Sequence, residues 1–272
     1  MTGPLVFIAH SVKRVRTLIL TTGALLAGFQ VVLVLVARSI DASGGFDELA
    51  KMLPPFAREM MGPSLASFMS FAGIVCLGYF HLVVMSALVA IAIAIATTPT
   101  SEIETGFIDL VLSRPVARHW VVTRTIFVAV LSIAVLLGAM LAGTWTGLHT
   151  LAPARAVWPS ARLILSLAGN LALLLLCWSG VAMAIGAAAR RRSAAAAITG
   201  LLAFTAFLLD YVGRLWARAD AVARLSPFRY YNSFDLVMGN ALPMKNVWVL
   251  GGIAAAGFAA AYWVFSRRDI TH

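Results

Sequence analysis

Read for its polar and apolar positions alone, the chain is six long apolar runs separated by short polar stretches. The runs cover residues 17–37, 71–96, 125–148, 163–188, 194–212 and 247–265. Each is close to the ~20 apolar residues that a helix needs to cross a bilayer. None alternates with the period of a strand, which argues against a membrane barrel. The fold class expected is therefore all-α, a polytopic membrane protein with six transmembrane helices. No internal repeat or low-complexity linker divides it, so residues 1–272 read as a single transmembrane domain. The first run follows Lys13, Arg14 and Arg16, as a leader would. It is too long for one, and no small-x-small site follows at Ala37-Arg38-Ser39, so it is expected to stay as a span.

The polar stretch between the second and third runs, residues 99–118, has a pattern of its own. Ser101 and Glu104 have the spacing of a capping box, with Pro99 just before it. Ile103, Phe107, Leu110 and Val111 then form one apolar stripe at helical spacing, while Glu102, Thr105 and Asp109 lie off it. Arg114-Pro115 ends the pattern, because proline disfavours the helical region for the residue before it. The expectation is a short amphipathic helix of about three turns, held between two spans.

Two further stretches carry partial patterns. In residues 1–16, Leu5, Ile8, Val12 and Val15 recur at helical spacing beside the basic residues. This predicts an amphipathic N-terminal helix lying in the membrane interface, with a plain basic flank as the alternative. Residues 219–243, around Pro227, Phe228, Tyr230 and Tyr231, are too apolar for a free loop and too short for a span. Short helices that dip into the outer leaflet and return would fit, with the two tyrosines as interfacial anchors.

Polar residues inside the runs are few. Gln30, His81 and Asn170 form a possible intramembrane polar site, and the competing reading is hydrogen bonding between helices. Small residues recur four apart at Gly143/Gly147, Ala182/Gly186, Gly252/Ala256 and Gly257/Ala261, spacing that lets helix backbones approach closely. Cys76 and Cys177 fall inside runs without metal-ligand spacing and read as packing residues.

Composition adds the solvent. Hydrophobic residues make up 61% of the chain and charged residues 12%, more apolar surface than a water-soluble domain could cover. A mean hydropathy of +0.92 says the same. The net charge of +10 comes from basic residues at the ends of runs, a pattern suited to anionic membrane lipids and not to nucleic acid. With both termini cytoplasmic, the inner segments carry 11 of the 21 Lys and Arg, and they are the shorter and denser ones; Arg190-Arg191-Arg192 fills a tight turn. That favours both termini inside.

Nucleotide hydrolysis by this chain is not expected. There is no phosphate-binding Gly-x-x-x-x-Gly-Lys loop, no Gly-x-Ser-x-Gly and no His-Glu-x-x-His, so neither a catalytic nor a metal site is expected.

Residues 101–124 resemble the inner coupling region of ABC exporter permeases of the type-2, six-span family. The resemblance lies in Glu104-Thr105-Gly106, Leu110, Leu112-Ser113-Arg114-Pro115-Val116-Ala117-Arg118 and Arg124. Phe107, Ala117 and Arg124 depart from the family's usual threonine, serine and lysine. Leu225–Asn232 is similar to the family's Ser-Pro-Phe element, and Arg267-Arg268-Asp269 to its usual ending. The resemblance implies a permease subunit in the cell membrane, not itself an enzyme and without a cofactor of its own. An ABC ATPase subunit would bind the ATP and grip the coupling segment through Glu102, Glu104, Gly106, Phe107, Leu110, Arg114, Pro115 and Arg118. A second permease, identical or related, would complete the transporter. Few interior charges suit a hydrophobic or amphipathic substrate. Two other readings stay open: an ion- or proton-coupled secondary transporter, and a membrane assembly factor that transports nothing.

Overall fold

The computed structural model describes residues 3–46, 68–106 and 119–267, and these are helical almost throughout. Helix α1 spans Gly3–Ala42. Next come α2 (Phe71–Cys76), a tight turn at Leu77–Tyr79, and α3 (Leu82–Ala96). A short α4 (Thr98–Glu104) follows, then the long helices α5 (His119–Leu151), α6 (Ala161–Ala188) and α7 (Arg192–Leu215). Two short helices, α8 (Asp220–Ala223) and α9 (Ser233–Val237), flank a turn at Pro227–Tyr230, and α10 (Met244–Arg267) closes the chain.

Six of these segments are long and apolar enough to cross a membrane, counting α2 and α3 together: Ile8–Ala42, Phe71–Ala96, His119–Leu151, Ala161–Ala188, Arg192–Leu215 and Met244–Arg267. The protein is a multi-pass membrane protein. Each run anticipated from the sequence is present: the second, 71–96, has the same bounds, the first is extended back to Gly3, and the other four are lengthened by a few residues at one or both ends. Serine caps fix two of the starts: Ser160 begins α6 two residues before the expected 163 by accepting from the Leu163 N–H, and Ser70 sets the start of α2 at Phe71 by accepting from the Gly73 N–H.

Crossing the membrane an even number of times sorts the connections into two groups. The near side holds the start of α1, α4, the 189–191 turn and the end of α10. The far side holds the ends of α1 and α5 and the segment between α7 and α10.

Close approach of backbones builds the bundle. α1 and α5 run parallel, with Gly23 against Ala139, Gly143 against the Ala27 backbone and Gly147 against Val34. α6 and α10 run parallel in the same way, where Gly180 meets Ala254 and Gly257. Gly143, Gly147 and Gly257 therefore do what their spacing suggested, whereas Gly252 faces open space. α6 is the central helix: 61% of its most apolar window is buried, against 28% for α7 and 22% for α10. Trp178, Leu171 and Leu174 on α6 and Met140 and Leu136 on α5 fill the middle. Both cysteines are free and buried there.

Five buried hydroxyls of the long helices bond within their own helix. Thr125, Ser132, Thr144, Ser179 and Thr199 each donate to the carbonyl four residues back, at 2.6–3.0 Å. This satisfies a polar group where no water reaches. The outward faces are apolar, with Leu201, Phe204, Leu208 and Leu215 of α7 all exposed, as lipid contact requires.

Two expectations change. Residues 3–16 do not form a separate interface helix, because α1 runs unbroken from Gly3 to Ala42. The second run is not one helix, because it breaks between Tyr79 and Leu82.

Candidate functional site

The polar residues gather at two places, one on each side of the bundle. The near-side group is built on α4. The expected capping box is absent: α4 starts at Thr98 with Thr97 as its N-cap, and Ser101 sits inside it. Pro99 accounts for the earlier start, since it occupies the first turn of the helix, where its missing N–H costs nothing. The helix then ends at Thr105, and Gly106 follows with φ +68, a left-handed conformation that favours glycine. The described helix is thus about two turns long, against the three expected. Phe107, Leu110, Arg114, Pro115 and Arg118 lie outside the described residues, so their expected stripe is not placed.

Thr100, Glu102 and Glu104 of α4 reach three different long helices, α6, α5 and α7. Thr100 Oγ1 donates to the Gly186 carbonyl of α6 at 2.9 Å. Gly186 leaves room for it, since a methyl group there would stand 2.8 Å from that oxygen. Glu102 is 5% exposed and does not lie on a solvated face, as its place off the apolar stripe suggested it would. Its Oε2 accepts from Arg124 Nη2 of α5 at 2.5 Å, and its Oε1 lies 3.9 Å from Arg14 Nη1 of α1. Glu104, exposed, does not close a capping box. Its Oε2 accepts the Arg192 backbone N–H at the start of α7, 2.9 Å away. Arg192 in turn donates to the Ala94 carbonyl near the end of α3 at 3.0 Å. Beside this junction lies a cavity of about 500 Å³ between α1, α3, α4 and α5.

The far-side group surrounds the break in the second span. His81, expected deep in a helix, is instead the residue before α3, with extended backbone and no side-chain capping bond. Its ring meets Phe29 edge-on at 5.8 Å. The Gln30 side-chain amide packs directly on Gly78, in the space a side chain there would take. The broken turn is held from outside. Tyr79 shares a hydrogen bond with Thr144 at 3.0 Å, and its carbonyl accepts from the Tyr231 hydroxyl at 2.6 Å. Tyr231 is therefore a buried strut and not an interfacial anchor. Burial pushes its phenol up, so it remains a donor at any ordinary pH.

The segment 219–243 folds back onto the bundle as short helices, and its contacts explain why. Ser226 donates to the Ala206 carbonyl at 2.7 Å and accepts from the Phe228 N–H. Pro227 opens the turn. Phe228 is buried between Trp178 at 5.7 Å and Phe207 at 5.6 Å between ring centres. Tyr230 donates to the Arg224 carbonyl at 3.0 Å. Asp210, 7% exposed, accepts from Arg214 at 2.9 Å, and Arg229 bridges toward it while pairing with Asp220. An apolar cavity of about 410 Å³ lies among Phe80, Met85, Phe207, Phe228 and Phe234, with Asp210 and Arg214 on its wall.

Gln30, His81 and Asn170 do not form one bonded site. Both amide atoms of Gln30 and of Asn170, and His81 Nδ1, are buried without a protein hydrogen-bond partner among the described residues. Among those residues no three His, Cys, Asp or Glu side chains gather where they could hold a metal ion. The sequence reading missed the partners of Glu102 and the role of Tyr79. The available signal was that Arg124 stands at the very start of an apolar run, where a charge needs a partner. Comparison with protein-family models, with characterised proteins and with solved structures finds no match to this chain.

Proposed function

We propose that this chain is the membrane-spanning permease subunit of an ATP-binding-cassette exporter, worked by a separate ATPase. The observation that carries the reading is the bonding of α4. A helix of seven residues is tied to α6 through Thr100, to α5 and α1 through Glu102, and to α7 through Glu104. Its N-terminus joins α3 through Thr97 alone. A partner that moves α4 therefore moves the ends of several spans together, with little slack to absorb the displacement.

On this reading the near side is cytoplasmic, in keeping with the density of Lys and Arg there. The ATPase grips α4 and the residues after Gly106, and a second permease copy or a related chain completes the pathway. The substrate is hydrophobic or amphipathic. The far-side cavity favours that class, with aromatic walls and one Asp210–Arg214 pair.

The test is purification of the tagged chain from its host in mild detergent, with identification of what accompanies it. A stoichiometric ATP-binding subunit is expected. Glu104→Arg, which places a cation against the Arg192 N–H, should reduce that subunit about tenfold while the chain stays in the membrane. A chain that emerges without an ATPase from several detergents overturns the proposal in favour of an ion-coupled transporter.

A further inference from the structure

The near-side cavity has a charge balance that the bonding of α4 does not explain. Its wall carries Lys13 and Arg14 from α1 and Arg124 from α5, against a single acid, Glu102. Arg124 already matches Glu102 at 2.5 Å, so Lys13 and Arg14 are the positive charges in excess. Both are accessible: Lys13 is exposed, and the Arg14 side chain is 55% exposed. Arg14 stands 3.9 Å from Glu102, too far for a hydrogen bond. Beneath this basic rim the cavity is apolar. Val15, Ile95 and Val128 line it, and Ile95 and Val128 belong to a small apolar cluster against which Val15 packs.

A basic rim over an apolar floor, at the end of membrane-crossing helices, suits a ligand with the same two parts. We infer that this cavity binds the phosphate of an anionic lipid, with the headgroup against Lys13 and Arg14. The first carbons of its chains lie over Val15, Ile95 and Val128. Arginine takes two phosphate oxygens at once, and lysine meets phosphate as a point charge. Free phosphate offers the same oxygens but leaves the apolar floor wet, which favours the lipid as the source. Basic clusters beside spans attract anionic headgroups for the same electrostatic reason. The inference rests on the membrane-crossing helices and is independent of any ATPase.

The experiment is thermal unfolding of the purified full chain in neutral detergent. Dioctanoyl phosphatidylglycerol, dioctanoyl phosphatidylcholine or inorganic phosphate is titrated in. Phosphatidylglycerol should raise the midpoint saturably, and phosphatidylcholine should not. Replacing both basic residues, Lys13→Gln with Arg14→Gln, should raise the half-saturating concentration about tenfold or more. Arg155→Gln with Arg162→Gln removes the same charge on the far side and should leave the titration unchanged. Equal shifts with the two lipids, or an unchanged titration in the Lys13 and Arg14 variant, overturn the site. The two lipids compared on the unaltered chain decide the question even where the variant fails to fold. A full shift with inorganic phosphate alone overturns the lipid assignment and leaves the cavity to a soluble anion.

Discussion

Glu102 and Glu104 stand two residues apart on one short helix and have opposite surroundings. The α-helix turns about 100° per residue, so the two carboxylates point to nearly opposite faces. Glu102 turns inward, and its charge is tolerable there only because Arg124, with a side chain 3% exposed, turns inward to meet it. Glu104 turns outward and takes a backbone N–H. Removing one member of the buried pair leaves the other charge without its counter-ion. Arg124→Leu alone should cost about 3–5 kcal/mol, and adding Glu102→Leu should recover most of that loss. Unfolding midpoints in one detergent rank the three proteins. A single variant no less stable than the double one would show that the pair is not a coupled buried unit. Neither orientation is legible in the spacing, which puts Glu102 off the apolar stripe. The pairing needs Arg14 and Arg124, 88 and 22 residues away, to arrive at the same point.

At the scale of elements, the α1–α5 contact is where sequence and structure agree most directly. Gly143 and Gly147 recur one turn apart, and both lie against α1. A methyl on Gly143 would collide with the Ala27 backbone, so Gly143→Ala has to push two helices apart. It should destabilise by about 1–3 kcal/mol, the usual cost of overpacking. Gly138 on the same helix faces open space, and Gly138→Ala should be neutral or stabilise by up to ~1 kcal/mol through helix propensity. Thermal midpoints of the two variants, measured side by side, check both signs; a neutral Gly143→Ala would contradict the close contact. The break at residues 77–81 was not legible in the same way. No proline marks it, and the run reads as continuous. What holds it open is remote: Thr144 of α5 takes the Tyr79 hydroxyl, and Tyr231 takes its carbonyl. A helix can be interrupted inside a bundle when the freed backbone groups find partners on other elements.

For the whole molecule, the six crossings among the described residues put the start of α1 and the end of α10 on one side, whatever the function. With Cys76 and Cys177 replaced by alanine, single cysteines report sidedness. His10→Cys and Ser193→Cys should react with a membrane-impermeant thiol reagent from one side. Ala154→Cys and Ala241→Cys should react only from the other, and all four positions are exposed. Labelling of His10→Cys and Ala154→Cys from the same side would break the six-crossing topology. Both buried polar centres sit near the ends of this bundle: the α4 junction on the near side, and the Tyr79–Tyr231 and Asp210–Arg214 contacts on the far side. Between them the core is apolar, with Trp178, Leu171 and Met140 among its fully buried residues.

The sequence alone determined the number of candidate spans, their approximate placement and the all-helical class. These follow from local composition, because a bilayer demands about 20 apolar residues per crossing and closes every backbone hydrogen bond within the helix. Only the tertiary structure decided that Glu102 is buried, that Glu104 bonds α7, that the second span is broken and that Tyr231 is a strut. Those features depend on which distant groups meet once the helices pack. A polar side chain in a membrane protein takes its role from the partner that satisfies it, and no spacing along the chain names that partner.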